Sequence, residues 1–71
     1  MRQEDLENLL GRIPCPLLRL HLTDGRTFDV QDPELVVITR STVELLIPGE
    51  RNREAIISLL HIVWVEVVSP S

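Results

Sequence analysis

The chain contains no lysine and no tyrosine, and cysteine, phenylalanine and tryptophan each occur once among its 71 residues. Because Cys15 has no second cysteine to pair with, no intrachain disulfide can form, and we expect a reducing, cytoplasmic setting. No apolar run approaches the roughly 20 residues of a membrane-spanning helix, so we expect a soluble protein. With only two aromatic residues, aliphatic side chains must form the core.

The length and the charge narrow the possible functions further. A chain of 71 residues forms one small domain, whose single core leaves stability marginal unless a partner subunit adds to it. The net charge of −4 argues against a binding mode dominated by phosphate contacts. We therefore treat nucleic acid as a less favoured partner than protein.

The strongest local signal is the pair Asp24-Gly25 between two stretches of alternating apolar and polar residues, which is typical of a β-hairpin. A two-residue loop would place Leu20 opposite Asp29 and so put a carboxylate in the apolar stripe. A three-residue loop with Gly25 in a left-handed bulge separates the two faces, and we favour it. It predicts the pairs Leu18–Val30, Arg19–Asp29, Leu20–Phe28 and His21–Thr27.

The remaining elements follow from apolar spacing and turn residues. Residues 3–10 form an amphipathic helix in which Leu6, Leu9 and Leu10 make one stripe. An Asp-Pro-Glu turn at 32–34 ends the second strand. The later strands are expected at 35–39, 42–47, 54–58 and 62–68, with the pairs Val36–Leu45 and Ile38–Val43. A tight turn is expected at 40–41, a loop at 48–53, a helical turn at 59–61 and a frayed tail at 69–71.

These elements predict a mainly β fold: a small antiparallel barrel of the SH3-like or Sm-like type, with five or six short strands behind a short N-terminal helix. A curled antiparallel sheet with the helix on one face is the alternative. The single domain spans residues 1–71, with the barrel at 16–68. No internal repeat is visible.

The hydrophobic pattern changes after the first hairpin, because from Leu35 onward both faces of the strands are largely apolar. Burying about 500 Å² of the second face would contribute roughly 12 kcal/mol before association costs. We therefore expect a homo-oligomer; coverage by the N-terminal helix and loops is the alternative. The inward set is Val36, Ile38, Val43, Leu45, Ile47, Val63, Val65 and Val67. The outward set, predicted to form the interface, is Leu35, Val37, Leu46, Ile56, Trp64 and Val68.

No residue pattern indicates catalysis. His21 and His61 lie outside any metal-ligand spacing, and Cys15 stands between two prolines without a histidine nearby in sequence. There is no phosphate-binding glycine loop and no nucleophile elbow. We expect a protein that is not an enzyme and that binds no cofactor or metal ion.

Trp64 is the residue whose pattern favours a functional role most strongly over a purely structural one. Its neighbours of the same parity on the last strand are Ile62, Glu66 and Val68, which the inward set leaves outside. An exposed tryptophan is typical of a protein interface and also of base stacking. We favour the interface, with a core position if the parity shifts by one residue.

Two resemblances arise from these residues. The first rests on the helix, a proline-containing segment, the run L-H-L-T-D-G-R-T-F-D-V at 20–30, the Pro-Glu turn and the terminal L-L-H-I at 59–62. This pattern resembles a family of short uncharacterised bacterial proteins and covers nearly the whole chain. It implies no activity, because the family has none assigned.

More remotely, the helix followed by L-T-D-G-R is similar to the start of Sm-like proteins, which form RNA-binding rings. This resemblance implies the topology and an assembly through edge strands. The RNA pocket does not carry over, because Asp29 stands where the family has glycine, no asparagine precedes Asn52, and no Arg-Gly pair lies near residues 60–62.

The sequence therefore predicts a non-catalytic, self-associating small β-barrel that serves as a structural or protein-interaction module. Its partners would be further copies of itself or another protein, and not a membrane. The alternative is an Sm-like ring that binds single-stranded RNA. Its contacts would come from Arg19, Arg26, Arg51 and Arg53.

Overall fold

The computed structural model describes residues 1–47, 49, 51 and 53–69, and the side chain of Ser69 is not described. One helix precedes six strands, and two short 3-10 turns interrupt them. The helix is α1 (Gln3–Leu10), and the 3-10 turns are Pro33–Leu35 and Leu59–His61. The strands are β1 (Leu17–Leu22), β2 (Thr27–Val30), β3 (Val36–Ile38), β4 (Thr42–Ile47), β5 (Arg53–Ser58) and β6 (Ile62–Ser69).

The strands form two antiparallel sheets of three strands each. The first sheet has the order β2-β1-β6 and the second has the order β3-β4-β5. The mainly β class predicted from the sequence is therefore confirmed. Within the described residues, no strand pairing joins the two sheets into a closed barrel.

The first hairpin has the register predicted from its alternation. Leu18 pairs with Val30 and Leu20 with Phe28, so the apolar side chains share one face. The loop has three residues, because Leu22 pairs with Arg26 through a backbone bond of 2.9 Å. Gly25 adopts φ +89°, the left-handed conformation that a bulged turn requires and that side chains with a Cβ disfavour.

The turn between β3 and β4 contains no glycine or asparagine, the residues that usually stabilise such turns. A threonine side chain stabilises it instead. The Thr39 hydroxyl accepts hydrogen bonds from the backbone N–H groups of Ser41 (3.3 Å) and Thr42 (3.0 Å). Such local side-chain bonds let serine and threonine stabilise a turn. The turn sets the predicted register, with Ile38 opposite Val43 and Val36 opposite Leu45.

One core lies between the sheets and is closed at one end by α1. Leu18 and Leu20 of the first sheet are fully buried, as is Val43 of the second. Leu6 and Leu10 of α1 belong to the same cluster, as the stripe in the sequence predicts. Because α1 buries its apolar stripe in this core, the described residues leave the outer face of the second sheet exposed.

The prediction that buried and exposed side chains alternate strictly along β6 is wrong, because two irregularities interrupt the pairing of β6 with β1. His21 pairs with Trp64 while Leu22 pairs with Ile62, so Val63 has no partner on β1. A bulge of this kind shifts the parity of the side chains. Val63, predicted to point inward, is 62 % exposed, whereas Ile62, predicted to lie outside, is buried.

The second irregularity lies near the end of β6. Leu18 pairs with Val67 and Leu17 with Ser69, so Val68 is the extra residue. Val67 and Val68 are both partly exposed, at 38 % each, and Val67 is not the fully inward residue that was predicted. Val65, between the two irregularities, is half-buried against the core.

Other boundaries differ from the prediction by a few residues. Leu35 belongs to the 3-10 turn, so β3 begins one residue later than expected. The turn begins where the Asp32 carboxylate accepts from the Glu34 N–H. The expected loop at 48–53 includes residues 48, 50 and 52, which lie outside the described residues, as do residues 70 and 71 of the expected tail.

Candidate functional site

The outer face of the second sheet is apolar around a central carboxylate. Glu44 on β4 lies between Val37 of β3 and Ile56 of β5, because the registers pair it with both. Leu46 follows on the same face, opposite Glu54. The exposed fractions of Val37, Leu46 and Ile56 are 58 %, 52 % and 65 %. We call these five residues the apolar face.

Neither carboxylate of the apolar face has an ion-pair partner within the part of the chain that the structure describes. Glu44 is half-buried between its apolar neighbours, whereas Glu54 is exposed. A half-buried carboxylate without an ion-pair partner can accept charge-assisted hydrogen bonds from a cation on another molecule. The face therefore suits a partner that carries both an apolar side chain and a positive charge.

The first sheet carries polar side chains that form their own cross-strand pairs, beside the exposed Val63, Trp64 and Val68 of β6. Arg19 donates to both carboxylate oxygens of Asp29, at 2.8 and 3.2 Å. On the other side of Arg19, Glu66 is its partner on β6, and the Glu66 carboxylate lies 3.0 Å from Nε2 of His21. We call Arg19, His21, Asp29, Trp64 and Glu66 the polar face.

Two aspartates near this surface are held in their charged form. The side-chain hydrogen bond from Arg19 lowers the pKa of Asp29 below its ordinary value of 3.8, and the same bond raises the pKa of Arg19. In the hairpin turn, the backbone N–H of Arg26 and then its side chain lower the pKa of Asp24. These hydrogen bonds favour the ionised carboxylates over the protonated ones.

His21 and Trp64 stack face to face on the polar face. Their ring centroids lie 3.9 Å apart, with an interplanar angle of 8°. The contact arises because β1 pairs with β6, which places the two residues opposite each other. Sequence reasoning placed His21 only beside Thr27; pairing between strands so far apart in sequence carries no local signal.

A groove of about 770 Å³ opens between the two sheets, near the ends of β2 and β4. Phe28, Val36 and Leu45 contribute apolar surface to it, and Asp29 and Arg53 contribute charge. The lining also includes Arg19, Gln31 and Asp32, so the groove is a concave surface that carries apolar groups and charges of both signs.

The six residues predicted to form an interface do not lie on one surface. Val37, Leu46 and Ile56 belong to the apolar face, while Trp64 and Val68 lie on β6 in the other sheet. Leu35 is half-buried in the 3-10 turn beside the groove. The structure therefore brings three of the six together.

The four arginines considered for nucleic-acid contact do not form one free basic surface in the described parts of the chain. Arg19 is paired with Asp29, and Arg26 is paired with Asp24 at 2.7 Å. Arg51 and Arg53 are exposed near the end of β4. The neighbouring carboxylate offsets the positive charge of each paired arginine, which weakens its attraction for a phosphate.

The described residues hold no group of three or more histidine, cysteine, aspartate and glutamate side chains that could bind a metal ion. His61 contributes its carbonyl oxygen to a bond from the Thr23 N–H, and Cys15 is half-buried. No helix among the described residues is long and apolar enough to cross a membrane.

We also compared the chain with known proteins. Neither models of protein families, nor curated proteins, nor solved structures gave a match. We therefore infer function from the residues and the geometry of this chain.

Proposed function

We propose that the protein is a non-catalytic, self-associating small β-domain that acts as a structural or protein-interaction module in the cytoplasm. The observation that carries this proposal is the apolar face, where Val37, Leu46 and Ile56 are each at least half exposed. Exposed apolar patches of this kind on a small domain are typical of protein interfaces. Association would bury them.

The finer fold assignment belongs to the same proposal. The order of a helix, two strands, a 3-10 turn, three strands, a second 3-10 turn and a final strand is compatible with an SH3-like or Sm-like barrel. β5 and β6 each have an edge that is unpaired within the described residues, which suits assembly through edge strands.

Light scattering over a range of concentrations tests the proposal. The wild-type chain should have a mass that is a multiple of 8.1 kDa at micromolar concentration. A stable monomer at these concentrations would overturn self-association. Leu46 is half exposed on the apolar face, so Leu46→Arg should reduce the mass while circular dichroism stays unchanged.

Leu60→Arg is the matched control for Leu46→Arg. Leu60 is more exposed than Leu46, at 87 %, and is not one of the six predicted interface residues. It should leave the assembly intact. If both variants dissociate equally, the added charge is responsible and Leu46 has no interface role.

The alternative function is an Sm-like domain that binds single-stranded RNA. The His21–Trp64 stack favours it, because a half-exposed indole ring held flat by a second ring is suited to base stacking. This alternative predicts that fluorescence anisotropy detects binding to labelled single-stranded RNA, and that binding weakens steeply with added salt. The absence of binding at low salt would end it.

A further inference from the structure

The segment Arg12–Ile13, between α1 and β1, presents the most exposed large hydrophobic side chain described in the structure. Ile13 is 98 % exposed, and the neighbouring Arg12 is also exposed. Arg12 has no ion-pair partner among the described residues. An isoleucine this exposed contributes little to the core, and its side chain is accessible for a contact outside the chain.

The ends of this segment are fixed. Leu10 on one side and Pro16 on the other are buried, and the N–H groups of Gly11 and Arg12 bond back to carbonyl oxygens of Glu7 and Leu9. A short loop between two anchored ends loses little conformational entropy on binding. The segment is therefore preorganised for binding.

The apolar face has the complementary properties. It combines exposed aliphatic side chains with Glu44 and Glu54, two carboxylates without an ion-pair partner in the described parts of the chain. Two copies of this face would not pack against each other well, because four carboxylates would meet in one interface. Association through the face therefore requires a different, cationic surface on the second copy.

We infer that Arg12 and Ile13 of one copy dock on the apolar face of a second copy. Ile13 packs among Val37, Leu46 and Ile56, and the Arg12 guanidinium pairs with Glu44. This contact rests on the proposed self-association and gives it a geometry. It joins two different surfaces, so repeated contacts either close into a ring or extend as a filament.

Leu60, the second most exposed large hydrophobic residue described, fits the apolar face less well. Leu60 lies in the second 3-10 turn, next to His61. The arginine of the neighbouring hairpin loop, Arg26, is already bonded to Asp24. Of the exposed large hydrophobic residues described, Ile13 is the one that directly follows an arginine in sequence, and this arginine has no ion-pair partner among the described residues.

Charge reversal tests the contact. Glu44→Arg and Arg12→Glu should each weaken association about tenfold or more in sedimentation equilibrium, because each places like charges together. The double variant, with both charges exchanged, should recover most of the lost affinity. Glu4→Arg and Arg2→Glu, which make the same charge changes at exposed positions at the start of the chain, should stay within about twofold of wild type.

Circular dichroism and thermal unfolding of each variant show whether it is folded. Ile13→Asp, at a fully exposed position, provides a second variant that should not affect folding and should also weaken association. If the wild-type chain is a monomer, the proposed function fails and this contact fails with it. If the wild-type chain associates but the single variants do not weaken it, or the double variant does not recover it, the Arg12–Ile13 contact is wrong while self-association stands.

Discussion

The two sheets of this domain share one core but differ in their outer faces. On the polar face, Arg19 bonds to Asp29, and His21 contacts both Glu66 and Trp64, so the charged groups have partners within the chain. On the apolar face, Glu44 and Glu54 have no ion-pair partner within the described residues, and aliphatic side chains are exposed around them. The difference favours the proposal that the second sheet, rather than the first, contacts a partner.

The largest expected effect on stability is the difference between a substitution in the core and one on the apolar face. Leu45 is 4 % exposed and the adjacent Leu46 is 52 % exposed. Leu45→Ala should lower the free energy of unfolding by about 2–5 kcal/mol, as buried leucine truncations do, and Leu46→Ala by less than about 1 kcal/mol when measured in dilute solution. Urea unfolding measures both values.

Leu20→Ala, in the fully buried position of the first sheet, is the matched comparison. Because the two sheets share one core, it should cost as much as Leu45→Ala, and both variants should unfold in one cooperative transition. Two separate transitions would show that the sheets do not stabilise each other.

The turn of the first sheet depends on a backbone conformation. Gly25 has φ +89°, so Gly25→Ala should destabilise the protein by about 1–2 kcal/mol. Gly25→Asn should cost less, since asparagine tolerates the left-handed region better than alanine does. Equal stability of wild type and Gly25→Ala, measured by thermal unfolding, would contradict the bulged turn.

The turn of the second sheet depends instead on a side chain. Thr39→Val removes the hydroxyl that accepts from the Ser41 and Thr42 N–H groups and should cost about 1 kcal/mol. Thr39→Ser keeps that hydroxyl and should retain most of the stability. If valine and serine have the same effect, the loss comes from packing and not from the hydrogen bonds.

The smallest expected effect is the pH dependence of the first sheet. Arg19 lowers the pKa of Asp29 in the folded state below the ordinary value of 3.8. The resulting stabilisation is present above the unfolded-state pKa and is lost as the pH falls through the lower folded-state pKa. Asp29→Asn removes this stabilisation, so the free energy of unfolding of the variant should fall less than that of wild type as the pH drops below about 4. The difference in stability between the two proteins should therefore become smaller at lower pH.

An NMR titration of the Asp29 carboxyl checks the cause directly. Its midpoint should lie below the ordinary aspartate value of 3.8, and Arg19→Ala should raise it. An unchanged midpoint in Arg19→Ala would contradict the role of the Arg19 hydrogen bond.

The local elements of this fold could be predicted from the sequence because their signals are local. Alternation around Asp24-Gly25 decided the register of the first hairpin, and the leucine stripe decided α1. The bulge at Val63 could not be predicted in this way, since an apolar residue on either face fits a strand whose two faces are both apolar. The His21–Trp64 contact also escaped prediction, because it depends on β1 pairing with a strand about 40 residues away.

The predicted interface shows the same limit. Val37, Leu46 and Ile56 were found by parity within regular strands, and these residues do lie together on one sheet. Trp64 and Val68 were grouped with them by the same rule, although they belong to the other sheet. The alternation along a strand assigns each residue to one of the two faces of that strand. Only the order of the strands in the sheets shows which residues of different strands share a surface.

Sedimentation equilibrium of two double variants, one for each outer face, tests the central difference between the sheets most directly. Val37→Ser with Ile56→Ser removes two exposed aliphatic side chains from the apolar face, and Arg19→Ser with Asp29→Ser removes the ion pair of the polar face. We predict that the first variant is a monomer of about 8 kDa and that the second keeps the larger mass of the wild-type assembly. If the first variant keeps the wild-type mass, the apolar face is not the interface.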